Sequence, residues 1–109
     1  MDEPELIARA RAGEPAAERA LYDAHVDRVY RLSYRLAGDD ELARDFTQET
    51  FIRAWQNLSS YRPQTPLRNW LYRIAFNAGL DMLRKEKRIL PNDIEDLNLN
   101  DGQPGLESQ

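Results

Sequence analysis

The strongest constraint on the fold is an apolar repeat in the second half of the chain. Its spacing, about 3.6 residues, is that of one helix face, and it predicts a helix from about Pro66 to about Lys87. Thr65 is placed to cap this helix, and Pro66 suits its first position. The residues predicted to face inward are Leu67, Leu71, Ile74, Ala78 and Met82.

The same period indicates further helices and no strand. Helices are predicted over residues 4–12, 15–37 and 40–58, with Gly38 ending the second and Asp39 or Asp40 capping the third. We therefore expect an all-α fold, a compact bundle of three to four helices. The second and third helices are predicted to turn inward Tyr22, Val26, Val29, Ser33 and Leu36, and Ala43, Phe46, Thr50, Phe51, Ala54 and Leu58.

The length of 109 residues fits a single domain, predicted to cover residues 1–88. Residues 89–109 lack periodicity and predict an irregular acidic tail or linker. Charge follows the same division within a net charge of −4. By residue count, residues 1–60 carry −4, residues 61–88 carry +5 and residues 89–109 carry −5, so the basic segment includes the fourth helix.

Composition excludes several function classes. There is no cysteine and a single histidine, His25, which is predicted to lie at the edge of the core, so no metal centre or nucleophile is apparent. Neither a phosphate-binding glycine loop nor a nucleophile elbow occurs. We expect a binding module with no cofactor and no metal, not an enzyme. No apolar run reaches the ~18–20 residues of a membrane span, so a cytoplasmic protein is expected.

The outer face of the fourth helix combines rings, amides and cations. Aromatic rings stack on bases, arginine contacts phosphates, and asparagine hydrogen-bonds base edges, which favours single-stranded nucleic acid. Packing of the rings under another helix explains the pattern equally well. The residues on this face are Asn69, Tyr72, Arg73, Phe76, Asn77, Leu80 and Arg84.

Two other segments carry weaker signals. The polar loop at residues 59–65 could hold a base rotated out of its stack, although an ordinary capped turn is the simpler interpretation. On the third helix, Asp45, Gln48, Glu49 and Ile52 form a stripe that could pair with arginines of a partner helix or could simply be solvated.

These segments resemble a known family. The strings DFTQETF at residues 45–51 and NWLYRIAFN at residues 69–77 are similar to conserved region 2 of an extracytoplasmic-function (ECF) sigma factor of the sigma-70 family. Between them, Ala54-Trp55, Leu58 and Tyr61-Arg62 also match, and the resemblance extends from about Glu5 to Arg88. The tail is expected to lead toward a helix-turn-helix region 4, which this chain lacks, as in a fragment of a longer factor or a factor reduced to region 2.

The resemblance implies a bacterial transcription initiation factor. Such a factor binds the RNA polymerase core through the clamp helices of its largest subunit, and it recognises and melts the promoter −10 element by capturing a flipped non-template base. The implied core-polymerase contacts are Asp45, Gln48, Glu49 and Ile52. The implied base-capture and single-strand residues are Ser60, Tyr61, Arg62, Trp70, Arg73 and Asn77, and the implied DNA-phosphate contacts are Arg84, Lys85, Lys87 and Arg88.

Two positions depart from the family pattern. Arg44 stands where an acidic residue is usual and Thr47 where an aliphatic one is usual, which implies weaker or partner-specific clamp binding. A phosphate on Thr47 would restore negative charge there. The alternative functions are a helical protein–protein adaptor or regulator without promoter reading, whose surfaces an anti-sigma factor could also occupy, and a general RNA- or DNA-binding helical bundle. The clamp motif together with Asn77 favours the initiation factor.

Overall fold

Four α-helices and one short 3-10 helix make up the described part of the chain, residues 2–85 of a computed structural model. No strand occurs within this range, which confirms the all-α prediction. The predicted tail and the proposed domain boundary after residue 88 lie outside the described residues. In chain order the helices are α1 (Glu3–Arg11), α2 (Pro15–Ala37), α3 (Asp40–Gln56), the 3-10 helix (Leu58–Ser60) and α4 (Leu67–Lys85).

Local signals account for the helix ends. The Asp39 carboxylate accepts a hydrogen bond from Leu42 N at 2.9 Å, which caps α3 as predicted. Gly38 ends α2 with φ of 81°, in the left-handed region that glycine adopts without strain. α3 ends two residues earlier than predicted, because the chain tightens into the 3-10 helix at Leu58. α4 begins at Leu67, and the Pro66 carbonyl accepts a hydrogen bond from Trp70 N.

α2 is the central element, since α1, α3 and α4 all pack against it. The larger core cluster includes Leu21 and Val29 of α2, Phe51 of α3 and Leu71 of α4. A second cluster, where α3 begins and α4 ends, is centred on the fully buried Phe46. In α2 the buried residues are Ala17, Leu21, His25, Val29, Ser33 and Ala37, so the predicted Tyr22, Val26 and Leu36 lie at the half-buried margin of that face.

The buried face of α4 is wider than its apolar repeat predicted. Ile74 and Met82 are only half-buried. α4 packs against both α2 and α3, so its buried face does not coincide with the predicted apolar stripe. Leu80, predicted to face outward, is 3% exposed, so that prediction is wrong. A Cβ on Gly79 would lie 2.9 Å from Leu36 Cδ1 and 3.1 Å from Phe46 Cδ2, so glycine permits this close approach. The buried residues are Leu67, Leu71, Ala75, Ala78, Gly79, Leu80 and Leu83.

His25 joins the first two helices. Its ring is buried, and Nε2 lies 2.7 Å from the Glu3 carboxylate of α1. The residue thus lies deeper than the predicted core edge, and its partner attaches α1 to the bundle. Within residues 2–85 there is no helix that is both long and apolar enough to cross a membrane. The same range contains no cluster of three or more potential metal ligands.

Candidate nucleic-acid and protein interfaces

One exposed face of α4 brings together four of the predicted nucleic-acid contacts. Trp70, Arg73, Asn77 and Arg84 are separated by three, four and seven residues, so they lie along one side of the helix. Arg73 and Arg84 are exposed, and Trp70 and Asn77 are half-buried. No hydrogen bond within residues 2–85 engages the Asn77 amide, which leaves its donor and acceptor able to meet a ligand.

The loop before α4 is held in shape by its own residues. Tyr61 is 5% exposed, and its hydroxyl donates to the Thr65 carbonyl oxygen. The rings of Tyr61 and Trp70 pack with centroids 5.2 Å apart. The structure therefore places Tyr61 beneath the loop, whereas Ser60 and Arg62 stand exposed on it. Burial, followed by the charge of Glu3, raises the pKa of Tyr61, so the phenol stays neutral at physiological pH.

Arg11 of α1 fixes the same loop and was missed by sequence reasoning. Its Nε donates to the Leu58 carbonyl oxygen at 3.2 Å, and its Nη2 donates to the Tyr61 carbonyl oxygen. The guanidinium also lies over the Tyr61 ring, 5.7 Å from the centroid. One side chain thus donates to the carbonyl oxygens of the first residue of the 3-10 helix and of the residue that follows this helix. No short-range pattern signals it, because the partners are 47 and 50 residues away.

Replacing Arg11 by alanine is expected to loosen the loop. Hydrogen bonds to a charged group contribute about 1.5–3 kcal/mol to stability, and part-exposed ones lie at the low end. We therefore expect the free energy of unfolding to fall by about 1–2 kcal/mol. Hydrogen exchange should accelerate at the Ser60 and Tyr61 amides. Arg9→Ala is the control, because Arg9 makes only a 3.9 Å ion pair with Glu14. Equal exchange in the two variants would show that Arg11 does not order the loop.

The predicted protein-binding stripe lies on α3. Asp45 and Gln48 are exposed, and Ile52 is one of the few large apolar side chains left open, at 44%. Glu49 differs from the others because its carboxylate accepts a hydrogen bond from Arg53 Nε at 2.9 Å. Arg53 Nη1 also reaches the Asp81 carboxylate of α4 at 2.9 Å. Glu49 therefore belongs to a bridge between α3 and α4 as well as to the exposed stripe.

The charge of Arg53 is secured by this bridge. Burial acts to lower the pKa of Arg53, but the hydrogen bonds and charges of Glu49 and Asp81 outweigh it and raise that pKa. Arginine stays charged throughout the accessible pH range in any case, so the raised pKa reflects the close pairing of the guanidinium with the two carboxylates. The bridge is a sequence-distant contact, since Asp81 lies 28 residues from Arg53.

Beside this stripe, α2 and α3 enclose an apolar groove of 790 Å³. At its rim Tyr30 donates a hydrogen bond to Asp40, which raises the pKa of Tyr30 and lowers that of Asp40. Arg44 pairs with Asp40 at 2.8 Å. The apolar walls are formed by Tyr22, Val26, Phe51, Ile52 and Trp55. A groove of this kind, next to an exposed Ile52, suits the apolar face of a helix from another protein.

Thr47 is a structural residue in this fold. It is 6% exposed, and its hydroxyl donates to the Ala43 carbonyl oxygen at 2.7 Å. A phosphate there would require local opening of α3, so the suggestion that phosphorylation restores the acidic stripe does not suit the folded chain.

The basic end of α4 is partly described. Arg84 and Lys85 are exposed in its last turn, as a phosphate contact requires. Lys87 and Arg88, predicted to share that role, lie outside the described residues.

Comparison with known proteins gives a consistent family. A family model described as sigma-70 region 2 matches residues 21–89. The ECF RNA polymerase sigma factor SigE of Mycolicibacterium smegmatis is 46% identical over 88 residues, which cover 77% of this chain and 34% of that protein. SigW of Bacillus subtilis, also an ECF RNA polymerase sigma factor, is 38% identical over 81 residues, 74% of this chain and 43% of that protein.

A solved structure extends the comparison to the fold. The NMR structure of an engineered region 2 of sigmaE in complex with GTAAAA superposes with a TM-score of 0.74 at 28% identity, covering 84% of this chain and 95% of that one. The chain spans between a third and a half of the length of the curated relatives it matches here.

Proposed function

Because the chain belongs to the sigma-70 region 2 family, of the extracytoplasmic-function type, we propose that it is the −10-reading part of a bacterial transcription initiation factor. In this role it joins the RNA polymerase core through α3 and binds the non-template strand of the melted promoter through α4. Such a factor acts in the cytoplasm, where the polymerase is.

The observation that carries this proposal is the exposed face of α4 beside a preshaped loop. The Asn77 amide, with no hydrogen bond within residues 2–85, offers a donor and an acceptor to one base edge. Ser60 and Arg62 are exposed on the loop, where a base rotated out of its stack would be received. Tyr61 acts beneath them by fixing the loop's shape. The engineered sigmaE region 2, bound to GTAAAA, supports this use of the same fold.

The rest of the α4 face supplies stacking and charge. The Trp70 ring is half-buried and supported by Tyr61, so its remaining surface is rigidly presented to a base. Arg73 follows it as an exposed cation. Arg84 and Lys85, and by sequence Lys87 and Arg88, are assigned to phosphates nearer the duplex.

The polymerase contact is assigned to α3. Asp45, Gln48 and Glu49 would pair with basic and amide groups of the clamp helices, while Ile52 and the adjoining groove would bury an apolar side chain of the partner. Because Glu49 already accepts from Arg53, we expect it to contribute less than Asp45 and Gln48.

The net charge of −4 is consistent with separate roles for the polymerase and this chain in binding DNA. An acidic factor binds DNA weakly by itself, so the polymerase would provide most of the positive channel and this chain the base selection. We therefore expect the chain to bind DNA only weakly when the polymerase is absent.

NMR titration of the full chain with the GTAAAA hexamer tests the proposal. The expected result is weak, saturable binding that perturbs the amides of Ser60, Arg73 and Asn77. A hexamer with the same bases in reverse order is the control, and it should perturb them less. Perturbations confined to α1 or to the groove between α2 and α3 would refute the assignment of the α4 face.

A further inference from the structure

Three arginines of α2 form a basic stripe to which the proposed function gives no role. Arg28, Arg31 and Arg35 are spaced at i, i+3 and i+7, so they follow one face of α2 over about 10.5 Å of its axis. All three are exposed, and none forms an ion pair with another residue of the range 2–85. By contrast, ion pairs with carboxylates are made by Arg9, Arg19, Arg44 and Arg53.

The stripe borders a cleft of 330 Å³ between α2 and α4. Leu32 and the half-buried ring of Tyr72 complete its lining. Asp27, the acidic residue four positions before Arg31, lines the groove toward α3 instead. Tyr72 directly precedes Arg73 on α4, so the two side chains lie about 100° apart around the helix axis, and the cleft lies to one side of the α4 face assigned to the single strand.

Charge and shape select the kind of ligand. Three cations within roughly one screening length of 8–10 Å create a local positive potential, although the chain is acidic overall. An acidic protein segment would satisfy the charge alone. A nucleic-acid strand also uses the aromatic ring, because every base can stack on a tyrosine. Through Tyr72 the cleft also reaches α4, the helix already assigned to such a strand.

We propose that Arg28, Arg31, Arg35 and Tyr72 bind the single strand that continues beyond the bases held by α4, the arginines contacting phosphates and Tyr72 stacking on a base. This inference rests on the proposed function, and it adds a second contact region on α2. The stripe would set how strongly the strand is retained and how that binding responds to salt, without affecting which base Asn77 reads.

The test compares two strands and two triple variants of the full chain. One strand is the GTAAAA hexamer, and the other carries it at the centre of about 20 nucleotides, longer than the site of one small domain. The stripe variant carries Arg28→Gln, Arg31→Gln and Arg35→Gln. The control variant carries Arg9→Gln, Arg19→Gln and Arg44→Gln, which removes the same charge from arginines that pair with carboxylates.

The stripe variant should bind the long strand less tightly. The slope of its log affinity against log salt concentration should become shallower by about 0.7 for each lost phosphate contact, or by about 2 in all. At about 0.1 M salt its affinity for the long strand should fall on the order of 10- to 100-fold. Its hexamer affinity and the perturbation of Asn77 should stay close to those of the wild type. The control variant should retain most of the long-strand slope.

Distinct results separate failure of this proposal from failure of the proposed function. Normal hexamer binding with an unchanged long-strand slope in the stripe variant would overturn the stripe alone. Equal losses of long-strand affinity in the two triple variants would also overturn it, because the net charge of the chain alone would then explain the binding. Displacement of the long strand by polyglutamate as readily as by oligothymidine would assign the stripe to an acidic protein. Wild-type binding to neither strand would contradict both proposals.

Discussion

Replacing Asn77 by alanine is expected to relax the choice of a single base in the bound strand by about 1–3 kcal/mol, roughly 5- to 150-fold. Asn77 is half-buried on the exposed face of α4, and its amide has no hydrogen bond within residues 2–85. Alanine therefore removes a ligand contact without leaving a partner in the fold unsatisfied. The measurement is the affinity of the full chain for hexamers that differ from GTAAAA by one base each.

The pattern across the hexamers separates reading from general binding. Discrimination should fall at one position only, with the other positions unchanged. Gln56→Ala is the control, because it removes an exposed amide from α3 and should alter no preference. A uniform loss at every position in the Asn77 variant would show that this residue supports the strand without reading it.

Replacing Phe46 by alanine should lower the free energy of unfolding by about 3–5 kcal/mol. Phe46 is fully buried where α3 and α4 meet, and its ring lies against the backbone of Gly79. Small domains have only about 5–15 kcal/mol in total, so much of the stability would be lost. Urea unfolding measures the change from the midpoint, provided that its slope is unchanged.

Tyr34→Ala provides the comparison for this loss. Tyr34 is an aromatic residue of α2 with 45% of its surface exposed, and its replacement should cost less than about 1 kcal/mol. Similar losses in the two variants would mean that the cluster around Phe46 is not a principal source of stability.

Helix positions could be predicted because they depend on neighbours within a turn or two. The limits of α2, the Asp39 cap and the Gly38 stop all follow from such local chemistry. The depth of burial could not be predicted in the same way. Ile74 packs against the core but is only half-buried, and Leu80 is buried against the prediction, because a repeat identifies a face but not how many helices cover it.

The candidate site shows the same division. The exposed stripe on α3 and the cations on α4 follow from helical spacing. Tyr61 does not, because a tyrosine in a polar loop gives no sign that its ring packs beneath the loop. Arg11 and the Arg53–Asp81 bridge join distant positions and need the tertiary structure. The net charge of −4 over residues 1–60 gives no sign of the arginine stripe on α2, because the acidic residues of the same segment outnumber its arginines.

Two surfaces of this small domain, on α3 and on α4, are proposed to serve two different partners. The two roles can be separated by mixing the chain with bacterial core RNA polymerase and a non-template strand that carries a −10 sequence. Polymerase association and strand selection are measured separately for the wild type, Gln48→Ala and Asn77→Ala. We expect Gln48→Ala to weaken association with the polymerase and to leave strand selection intact, and Asn77→Ala to do the reverse. Equal effects of both variants on both measurements would refute the assignment of separate surfaces to the two partners.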